Sequence, residues 1–464
     1  MASGDWALRK IDELKASSDN AIAIGPFGSR MKAELYMSTG VPVIRGNNIS
    51  DTRALVGDFV FVSKETADQL KSSNVFAGDL VFPHRGAIGE VGIVPRDGTP
   101  RYLLSTSLMK LTCNEEVVDP VFLFYFFRSP TGRHELLKNT STVGTPGIAT
   151  PLTSLKSIEV TLPLFEEQRA IAHILGTLDD KIELNRRMNE TLEAMSRAIF
   201  QSWFVDFDPV RAKANGEPAH SICRRLGLTL DLLALFPESC QDSELGEIPT
   251  GWATVLLGSL CSRVSMGPFG SDIKTDNFVE VGVPVVRGGN LTDGFVDEGF
   301  VFISEEKADQ LRNANARSDD IVITHRGTLG QVGLIPKGSR YPRYVVSQSQ
   351  MVLSINPNLS SPRYIFEFLR SPIGQHRLLA NASQVGVPAI ARPTTNVKSI
   401  SIVAPCIELL RAFEMLVEPM LKRVVANTSE SMTLAALRDT LLPKLISGDL
   451  RVKDAARFMA EAGA

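Results

Sequence analysis

Residues 162–207 read LPLFEEQRAIAHILGTLDDKIELNRRMNETLEAMSRAIFQSWFVDF, and this stretch decides the fold. Its apolar residues recur at steps of mostly three and four, which is the spacing of one face of a long helix. Pro163 precedes the pattern and suits a helix start, whereas Pro209 follows it and blocks continuation. The stretch therefore predicts one helix of about forty residues, roughly 60 Å long at 1.5 Å per residue.

The same apolar pattern returns 242 residues later and predicts a second long helix. In both helices the apolar face is narrow, so it needs a partner, and two such helices in one chain most simply pack on each other. Each helix has an asparagine near its midpoint. Because midpoints meet in an antiparallel pair, we expect Asn185 and Asn427 to face each other. The residues of this apolar face, here called the seam, are Ile171, Leu178, Ile182, Asn185, Leu192 and Ile199, then Phe413, Met420, Val424, Asn427, Leu434 and Leu441.

The rest of the chain is also duplicated. GPFGS at 25–29 returns at 267–271, VPVIRGNN at 41–48 returns as VPVVRGGN at 283–290, and HRGAIGEVGIVP from His84 returns as HRGTLGQVGLIP from His325. A period of about 240 residues is far longer than a solenoid unit, so it indicates a domain duplication. Short apolar runs punctuated by glycine and proline predict strand-rich globules with a few helices, an α/β (α+β) fold.

The predicted order is therefore a globule followed by a long helix, twice. A chain of 464 residues is also longer than one hydrophobic core usually serves, so at least two domains are expected. The predicted segments are a first globule at 1–162, a first long helix at 163–208, a linker at 209–244 rich in glycine and proline, a second globule at 245–404, and a second long helix with a tail at 405–464.

The composition and the missing motifs of the chain limit the functional classes to which it can belong. Five scattered cysteines without CxxC spacing argue against a structural zinc site and fit a reducing cytoplasm. We expect neither a signal peptide nor a membrane span, hence a cytoplasmic protein. The usual motifs for phosphate loops, metal sites and nucleophile elbows are missing, so no catalytic residue, metal or cofactor is predicted on this chain. The net charge of -3 means that any contact with nucleic acid must come from local basic surfaces.

Three motifs in the same order carry a resemblance to a known family. They are the long-helix string quoted above, ELGEIPTGW at 244–252 and LLPKLISGDL from Leu441. Over essentially its whole length the chain resembles the specificity (S) subunit of type I restriction-modification systems. The resemblance implies two target recognition domains separated by two long helices that form an antiparallel coiled coil. Each domain would read one half of a bipartite site in double-stranded DNA.

The same resemblance implies the partners. The helices would set the spacer between the half-sites and dock two modification subunits, which carry the S-adenosylmethionine chemistry, and a restriction subunit can join. The chain itself would not be an enzyme. Two alternatives stay open at this point: a self-sufficient DNA-modifying enzyme, which would need a cofactor loop, and a structural coiled-coil scaffold, which would not explain two duplicated globules with polar loops.

Candidate DNA contacts are basic, amide and hydroxyl groups near the repeated glycines. Arginine can bind guanine O6 and N7, asparagine can bind adenine N6 and N7, and both can bind phosphate. The competing interpretation is that groups matched in both copies fix turns, because base readers should differ between domains with different targets. The candidates are Arg30, Lys32, Arg45, Asn47, Asn48, Arg85, Thr145 and Lys156 in the first copy, with Lys274, Arg287, Asn290, Arg326, Arg392 and Lys398 in the second.

Overall fold

The structure is a computed structural model that describes residues 6–141, 145–270, 272–292, 294–383 and 386–454. The outermost residues of the predicted first globule and of the predicted tail, 1–5 and 455–464, lie outside the described part. The chain forms two compact units. One consists of residues 1–187 with 428–464, and the other consists of residues 188–427. Each unit therefore contains one globule together with half of each long helix.

The first globule consists of short strands and helices. Its strands are β1 (Ala7–Lys10), β2 (Ile22–Ile24), β3 (Val41–Ile44), β4 (Val60–Val62), β5 (Asn74–Val75), β6 (Leu80–Pro83), β7 (Gly92–Ile93), β8 (Tyr102–Leu104), β9 (Leu108–Leu111), β10 (Thr140–Ser141), β11 (Gly147–Ile148) and β12 (Glu159–Leu162). Its helices are α1 (Ile11–Leu14), α2 (Lys64–Gln69), α3 (Pro120–Arg128), α4 (Pro130–Leu137) and α5 (Pro151–Ser157). The first long helix, α6 (Phe165–Phe204), follows.

The second half of the chain repeats this order after a connecting segment. That segment contains α7 (Asp208–Ala214), α8 (Ala219–Leu226), α9 (Leu230–Ala234) and the hairpin β13 (Cys240–Ser243) and β14 (Gly246–Pro249). The strands of the second globule are β15 (Ala253–Leu256), β16 (Cys261–Met266), β17 (Phe278–Val279), β18 (Val283–Val286), β19 (Val301–Ile303), β20 (Asn315–Ala316), β21 (Ile321–Thr324), β22 (Val332–Leu334), β23 (Tyr344–Val346), β24 (Gln350–Ile355), β25 (Ala382–Ser383), β26 (Ala389–Ile390) and β27 (Ser401–Ala404). Its helices are α10 (Leu257–Leu260), α11 (Glu305–Gln310), α12 (Pro362–Arg370), α13 (Pro372–Leu379), α14 (Pro393–Lys398) and the second long helix, α15 (Ile407–Ser447).

The sheets of the two globules have matching strand orders. An antiparallel sheet has the order β2-β9-β6-β7 in the first globule and β16-β24-β21-β22 in the second. A second sheet, β4-β3-β8-β5, contains the parallel pair β3 and β8, and its counterpart β17-β19-β18-β23-β20 contains the parallel pair β18 and β23. The first and last strands of each globule also pair, β1 with β12 and β15 with β27. Each long helix therefore starts directly after a ribbon that closes its globule.

Local signals explain the short helices. The Ser63 hydroxyl accepts the backbone N–H of Thr66 at 3.1 Å and so caps α2. Residues 120–137 form two helices, α3 and α4, with a break between them. The break lies at Ser129, whose hydroxyl accepts the N–H of Gly132 while Pro130 opens α4. Gly132 is needed because an added Cβ would lie 2.1 Å from Phe126 O.

In each unit the two helix halves run antiparallel. In the first unit Asp179 pairs with Arg438 and Asn185 with Glu430, and in the second unit Asn189 pairs with Asn427. Residues later in α6 thus contact residues earlier in α15. Two mixed α/β globules with two long packed helices confirm the predicted fold class.

The seam residues are all at least partly covered. Asn185 and Asn427 are buried; Asn185 Nδ2 donates to Glu430 Oε2 at 2.7 Å, and Asn427 Nδ2 donates to Asn189 Oδ1 at 2.8 Å. The pairing of Asn185 with Asn427 themselves stays a prediction. The other seam residues fall into a buried group, Ile171, Leu178, Phe413, Leu434 and Leu441, and a half-buried group, Ile182, Leu192, Ile199, Met420 and Val424.

The segment at 209–244 is folded, although its glycines and prolines predicted a linker. Pro209 does not only end α6: it also occupies the first turn of α7. Val210, Ile222 and Phe236 are buried in the same core as Trp203. Because these apolar residues are spaced along a polar segment, the segment can cover the end of α6 while it connects the two copies.

A buried ionic network joins the first globule to its helices. Arg438 on α15 pairs with Asp179 on α6 at 2.8 Å, and both side chains are at least 95% buried. The Tyr125 hydroxyl on α3 donates to the other Asp179 oxygen at 2.6 Å, and Arg438 also donates to Asp51 O at 3.2 Å. Burial alone would lower the pKa of Arg438, but hydrogen bonds and charge attraction from Asp179 and Asp439 raise it, so the guanidinium stays charged.

In the second globule, a different buried network joins the globule to its long helices. Tyr125, Asp179 and Arg438 correspond, by the shift of 242, to Glu367, Leu421 and Ser196. There the acid and the base both lie on α12: Arg363 pairs with Glu367 at 2.5 Å. From α6, the hydroxyl of Ser196 accepts from Arg363 at 3.1 Å and donates to Glu367 at 3.4 Å. Both networks are buried, but their charges lie on different elements.

The first network yields a stability prediction. Replacing Arg438 by Ala leaves the buried Asp179 carboxylate without its counter-ion, so the free energy of unfolding of the full chain should fall by about 3 to 5 kcal/mol. The triple variant D179L/Y125F/R438M removes all the polar partners together and should recover most of the loss. Chemical denaturation measures both effects.

The matched control is R96A. Arg96 pairs with Glu115 on the surface, where the two side chains are 70% and 56% exposed, so its loss should cost less than about 1 kcal/mol. Equal losses from R438A and R96A would contradict the anchoring role of Arg438.

Candidate nucleic-acid interface

Three loops of the first globule meet at one edge of its antiparallel sheet. In the register of that sheet Ile24 lies opposite Met109 and Pro83 lies opposite Leu108. The ends of β2 and β6 therefore lie beside the start of β9. The loops after β2 and β6 and the loop before β9 are joined by backbone hydrogen bonds, since Gly25 N donates to Leu108 O at 2.7 Å and His84 N donates to Ser107 O at 2.9 Å.

A fourth loop joins the same edge. Gly86 N donates to Pro146 O at 3.0 Å, and Ile148 N donates to His84 O at 2.9 Å. The loop that contains Thr145 is thereby held against Arg85. We call residues 25–30, 84–86, 105–107 and 145–150 the first loop edge.

The second globule has an equivalent arrangement, the second loop edge. It consists of residues 267–270, 325–327, 347–349 and 386–392. Gly267 N donates to Gln350 O at 2.8 Å, His325 N donates to Ser349 O at 2.9 Å, and Gly327 N donates to Pro388 O at 2.8 Å. The two repeated motifs, GPFGS and HRG, are thus brought together in both copies.

The matched residues of the motifs build the turns. An added Cβ at Gly25 would lie 1.9 Å from Ser105 O, and one at Gly267 would lie 1.9 Å from Ser347 O, so only glycine fits these positions. The buried ring of His84 donates through Nε2 to Thr106 O at 3.2 Å, and His325 does the same to Gln348 O. Burial lowers the pKa of both imidazoles, which keeps them neutral and structural near pH 7.

Each loop edge also contains one strained residue. Thr150 has φ of 45° and Arg392 has φ of 44°, in the left-handed region that side chains rarely adopt. Both precede a proline that opens a helix, α5 or α14. Such strain is typical of functional loops, so the fourth loop is a strong candidate for ligand contact.

Several predicted residues are exposed at or next to these edges and are available to a ligand. Arg85 and Thr145 belong to the first edge and Arg326 and Arg392 to the second, while Lys32 and Lys274 directly follow the GPFGS segments. The exposed candidates are Arg30, Lys32, Arg85, Thr145, Lys274, Arg326 and Arg392.

The two matched asparagines need a correction. Asn48 is fully buried: its Oδ1 accepts Arg45 N at 3.0 Å, and its Nδ2 donates to Val56 O at 2.8 Å. Asn290 likewise accepts Arg287 N at 2.9 Å, and its Nδ2 donates to Val296 O at 3.4 Å and to Glu298 O at 2.7 Å. Their amides are used within the protein and cannot read a base, so these two residues hold their loops closed.

The arginines beside them are partly engaged. Arg45 is half-buried and donates to Asp58 O at 2.8 Å, whereas Arg287 is exposed and donates to Gly299 O at 3.4 Å. Asn47, which precedes the buried Asn48, is exposed. Arg53, another basic residue of the first globule, donates to Gly176 O at 3.0 Å and pairs with Asp180, so it joins the globule to α6.

The lysines on the last short helices lie just outside the loop edges. An added Cβ at Gly258 would lie 2.9 Å from Lys398 Cβ, which places the base of this side chain against α10. The six residues of β16 separate α10 from residues 267–270 of the second loop edge. Lys156 holds the matching position near the end of α5, and α5 packs on α1. Both lysines are exposed and follow the last residue of their loop edge, Thr150 or Arg392, by six residues, so their contact with DNA stays a prediction.

Two exposed residues of the loop edges were not among the candidates. Phe27 and Phe269, in the middle of the two GPFGS segments, are 74% and 84% exposed. A large apolar side chain that stands between glycines in both copies could have been recognised from the repeat alone.

The burial of Asn48 leads to a prediction that separates scaffold from ligand contact. N48A would leave Arg45 N and Val56 O without partners, so it should lower the free energy of unfolding by about 1 to 3 kcal/mol. N290A should behave alike, because Asn290 makes the same contacts.

The control is the adjacent N47A. Asn47 is exposed, so its replacement should change stability by less than about 0.5 kcal/mol. Chemical denaturation of the full chain compares the three variants. If N48A were as stable as the unmodified chain but failed to bind DNA, Asn48 would be a DNA contact and not a scaffold residue.

The described part of the chain was also searched for metal sites and for membrane-spanning helices. There, no group of three His, Cys, Asp or Glu residues is placed to hold a metal ion. None of the described helices combines the length and the apolar character that crossing a bilayer requires.

Comparisons with known proteins identify the family. Residues 6–194 match the family model of the type I restriction modification DNA specificity domain. The HindI specificity subunit of Haemophilus influenzae is 26% identical over 83% of this chain and 89% of its own length, and the MjaIX specificity subunit of Methanocaldococcus jannaschii is 25% identical over 97% and 94%. The solved S subunit from M. genitalium shares the fold, with a TM-score of 0.54 at 16% identity over 96% of this chain and 97% of that chain. The chain therefore belongs to the non-catalytic DNA specificity subunits of type I restriction-modification systems.

Proposed function

We propose that each globule reads one half of a bipartite site in double-stranded DNA through its own loop edge. The observation that carries the proposal is the repeated edge, at which exposed arginines and an exposed loop converge on the same sheet end in both copies. Cationic side chains that flank a polar loop suit phosphates and base edges. Because the exposed groups differ between the edges, for example Thr150 in the first at the position of Arg392 in the second, the half-sites need not be related.

We further propose that the long helices set the gap between the half-sites and dock two modification subunits in the cytoplasm, with restriction subunits joining such a complex. S-adenosylmethionine would bind to the modification subunits. Exposed apolar residues on the helices support docking of a protein partner: Leu184 and Met195 on α6, and Met415 and Leu416 on α15, range from 38% to 75% exposed.

The first test substitutes the loop edges separately. The chain is expressed with its modification partner, and methylated sites are mapped by sequencing. R85A should relax or weaken recognition of one half-site only, and R326A should affect the other. An arginine that reads a base should relax specificity at one position, whereas one that binds phosphate should lower the salt dependence of binding by about one ion.

The matched controls are R96A and K337A, exposed cations at equivalent positions that form surface ion pairs with Glu115 and Asp319. Arg96 follows β7, whose residue Ile93 lies opposite the start of β6, away from the loop edge. These variants should methylate normally. If R85A altered both half-sites equally, the assignment of one edge to one half-site would be wrong.

The second test addresses the spacer. Seven residues are inserted into both long helices, after Arg187 and after Asn427, which leaves the contacts inside each unit intact and the seam in phase. The helices should lengthen by roughly 10 Å, so the gap in the methylated site should grow by about 3 bp while both half-sites stay the same.

The control for the spacer test is insertion into α6 alone, which should abolish methylation because the antiparallel residues no longer match. Light scattering of the unmodified complex should give two modification subunits per chain. A gap that is unchanged by the double insertion would refute the spacer role of the helices.

A further inference from the structure

We propose that Phe27 and Phe269 insert their rings into the base stack of the half-site that their own globule reads. This inference rests on the proposed function and adds a contact of a different kind, with the flat faces of the bases. The glycines of the GPFGS motif build its turn, but that turn does not require the phenyl rings.

The first observation is the exposure of the rings. Phe27 is 74% exposed and Phe269 is 84% exposed, at equivalent positions of the two copies. An isolated exposed aromatic residue needs no explanation, but two at one position of a duplicated loop do. Neither ring is among the described aromatic contacts of the protein, whereas most of its other phenylalanines pack in the cores.

The second observation is that the backbone beneath each ring is held in place. Gly25 and Gly267, two residues earlier, are pressed against Ser105 and Ser347. On the other side, Phe27 O accepts Arg30 N at 2.9 Å, and Phe269 O accepts Asp272 N at 2.9 Å. A ring presented on a fixed turn loses little conformational entropy when it binds, which favours insertion.

The third observation is the charge near each ring. Arg30 and Lys32 are exposed within five residues of Phe27, and Lys274 is exposed five residues after Phe269. Cations beside an exposed apolar ring match the arrangement of DNA, in which phosphates flank stacked bases. Apolar side chains that enter a base step partly unstack it and kink the duplex. The neighbouring cations would hold the backbone on either side of such a step.

The experiment uses the chain with its modification partner and a duplex that contains its mapped site. The fluorescent adenine analogue 2-aminopurine, which is quenched by stacking, replaces the adenines of each half-site one at a time, except the methylated adenine, because a methyltransferase flips that base out of the stack by itself. Wild-type complex should raise the fluorescence at one step in each half-site. F27A should abolish the signal in the half-site of the first globule only, and F269A in the other. Each substitution should weaken binding of the cognate duplex by about 5- to 150-fold.

Two sets of variants control for folding and for apolar bulk. L8A and L256A remove exposed leucines from the equivalent strands β1 and β15, and they should leave the signal and the affinity unchanged. F27L keeps an apolar side chain but lacks an aromatic face, so it should recover only part of the affinity.

The outcomes distinguish this inference from the proposed function. If the wild-type chain with its partner failed to methylate a bipartite site, the proposed function itself would fail. If it methylated normally but no base analogue responded, or if the response persisted in F27A and F269A, only the insertion would be overturned. Loss of the modification subunits from the F27A and F269A complexes, with fluorescence unaltered, would instead mark the rings as a protein contact and refute insertion.

Discussion

The packing of each globule on halves of two different long helices is the constraint on which the rest of the structure depends. In the first unit the core that contains Phe122 and Leu175 also includes Leu441 and Leu445, which lie more than 260 residues later in the chain. The core of this globule is therefore incomplete until α15 has been made. Contacts so distant in sequence are slow to form because loop closure precedes any gain from packing. The second unit contains its helix halves within one continuous segment, 188–427.

The large-scale organisation was predictable because it depends on repeated spacing. The helix bounds and the duplication follow from apolar periodicity and from matched motifs, which survive many substitutions. The burial of single residues was harder to predict, because it depends on one contact with a distant part of the chain. On α6, Met195 is 46% exposed whereas the adjacent polar residue Ser196 is buried, because its hydroxyl contacts Arg363 and Glu367 of the second globule. A polar residue buried for a distant partner leaves no periodic signal.

The candidate site shows the same limit. Sequence comparison of the two copies correctly suggested that matched groups fix turns, as Gly25, His84 and Asn48 do. It also separates Asn48, which is matched by Asn290, from Asn47, which is replaced by Gly289 in the second copy, but it does not show which of the two side chains is buried. It also could not recognise that Arg53 pairs with Asp180, because that contact joins residues 127 positions apart. Exposure, which decides availability to DNA, is a property of the assembled loops.

The different charge placement at the two junctions limits how such proteins can diversify. If recombination replaced the first globule alone with one built like the second, the incoming helix would bring its own arginine and glutamate beside the buried Asp179 and Arg438, and the hydroxyl of Tyr125 would be lost. Desolvating a second ion pair at the same buried junction has a high energetic cost. A crossover in the middle of both long helices avoids this problem, because the exchanged block at 188–427 contains Ser196, Arg363 and Glu367 together. The genetic unit of exchange that conserves folding is therefore the globule with its facing helix halves, rather than the globule by itself.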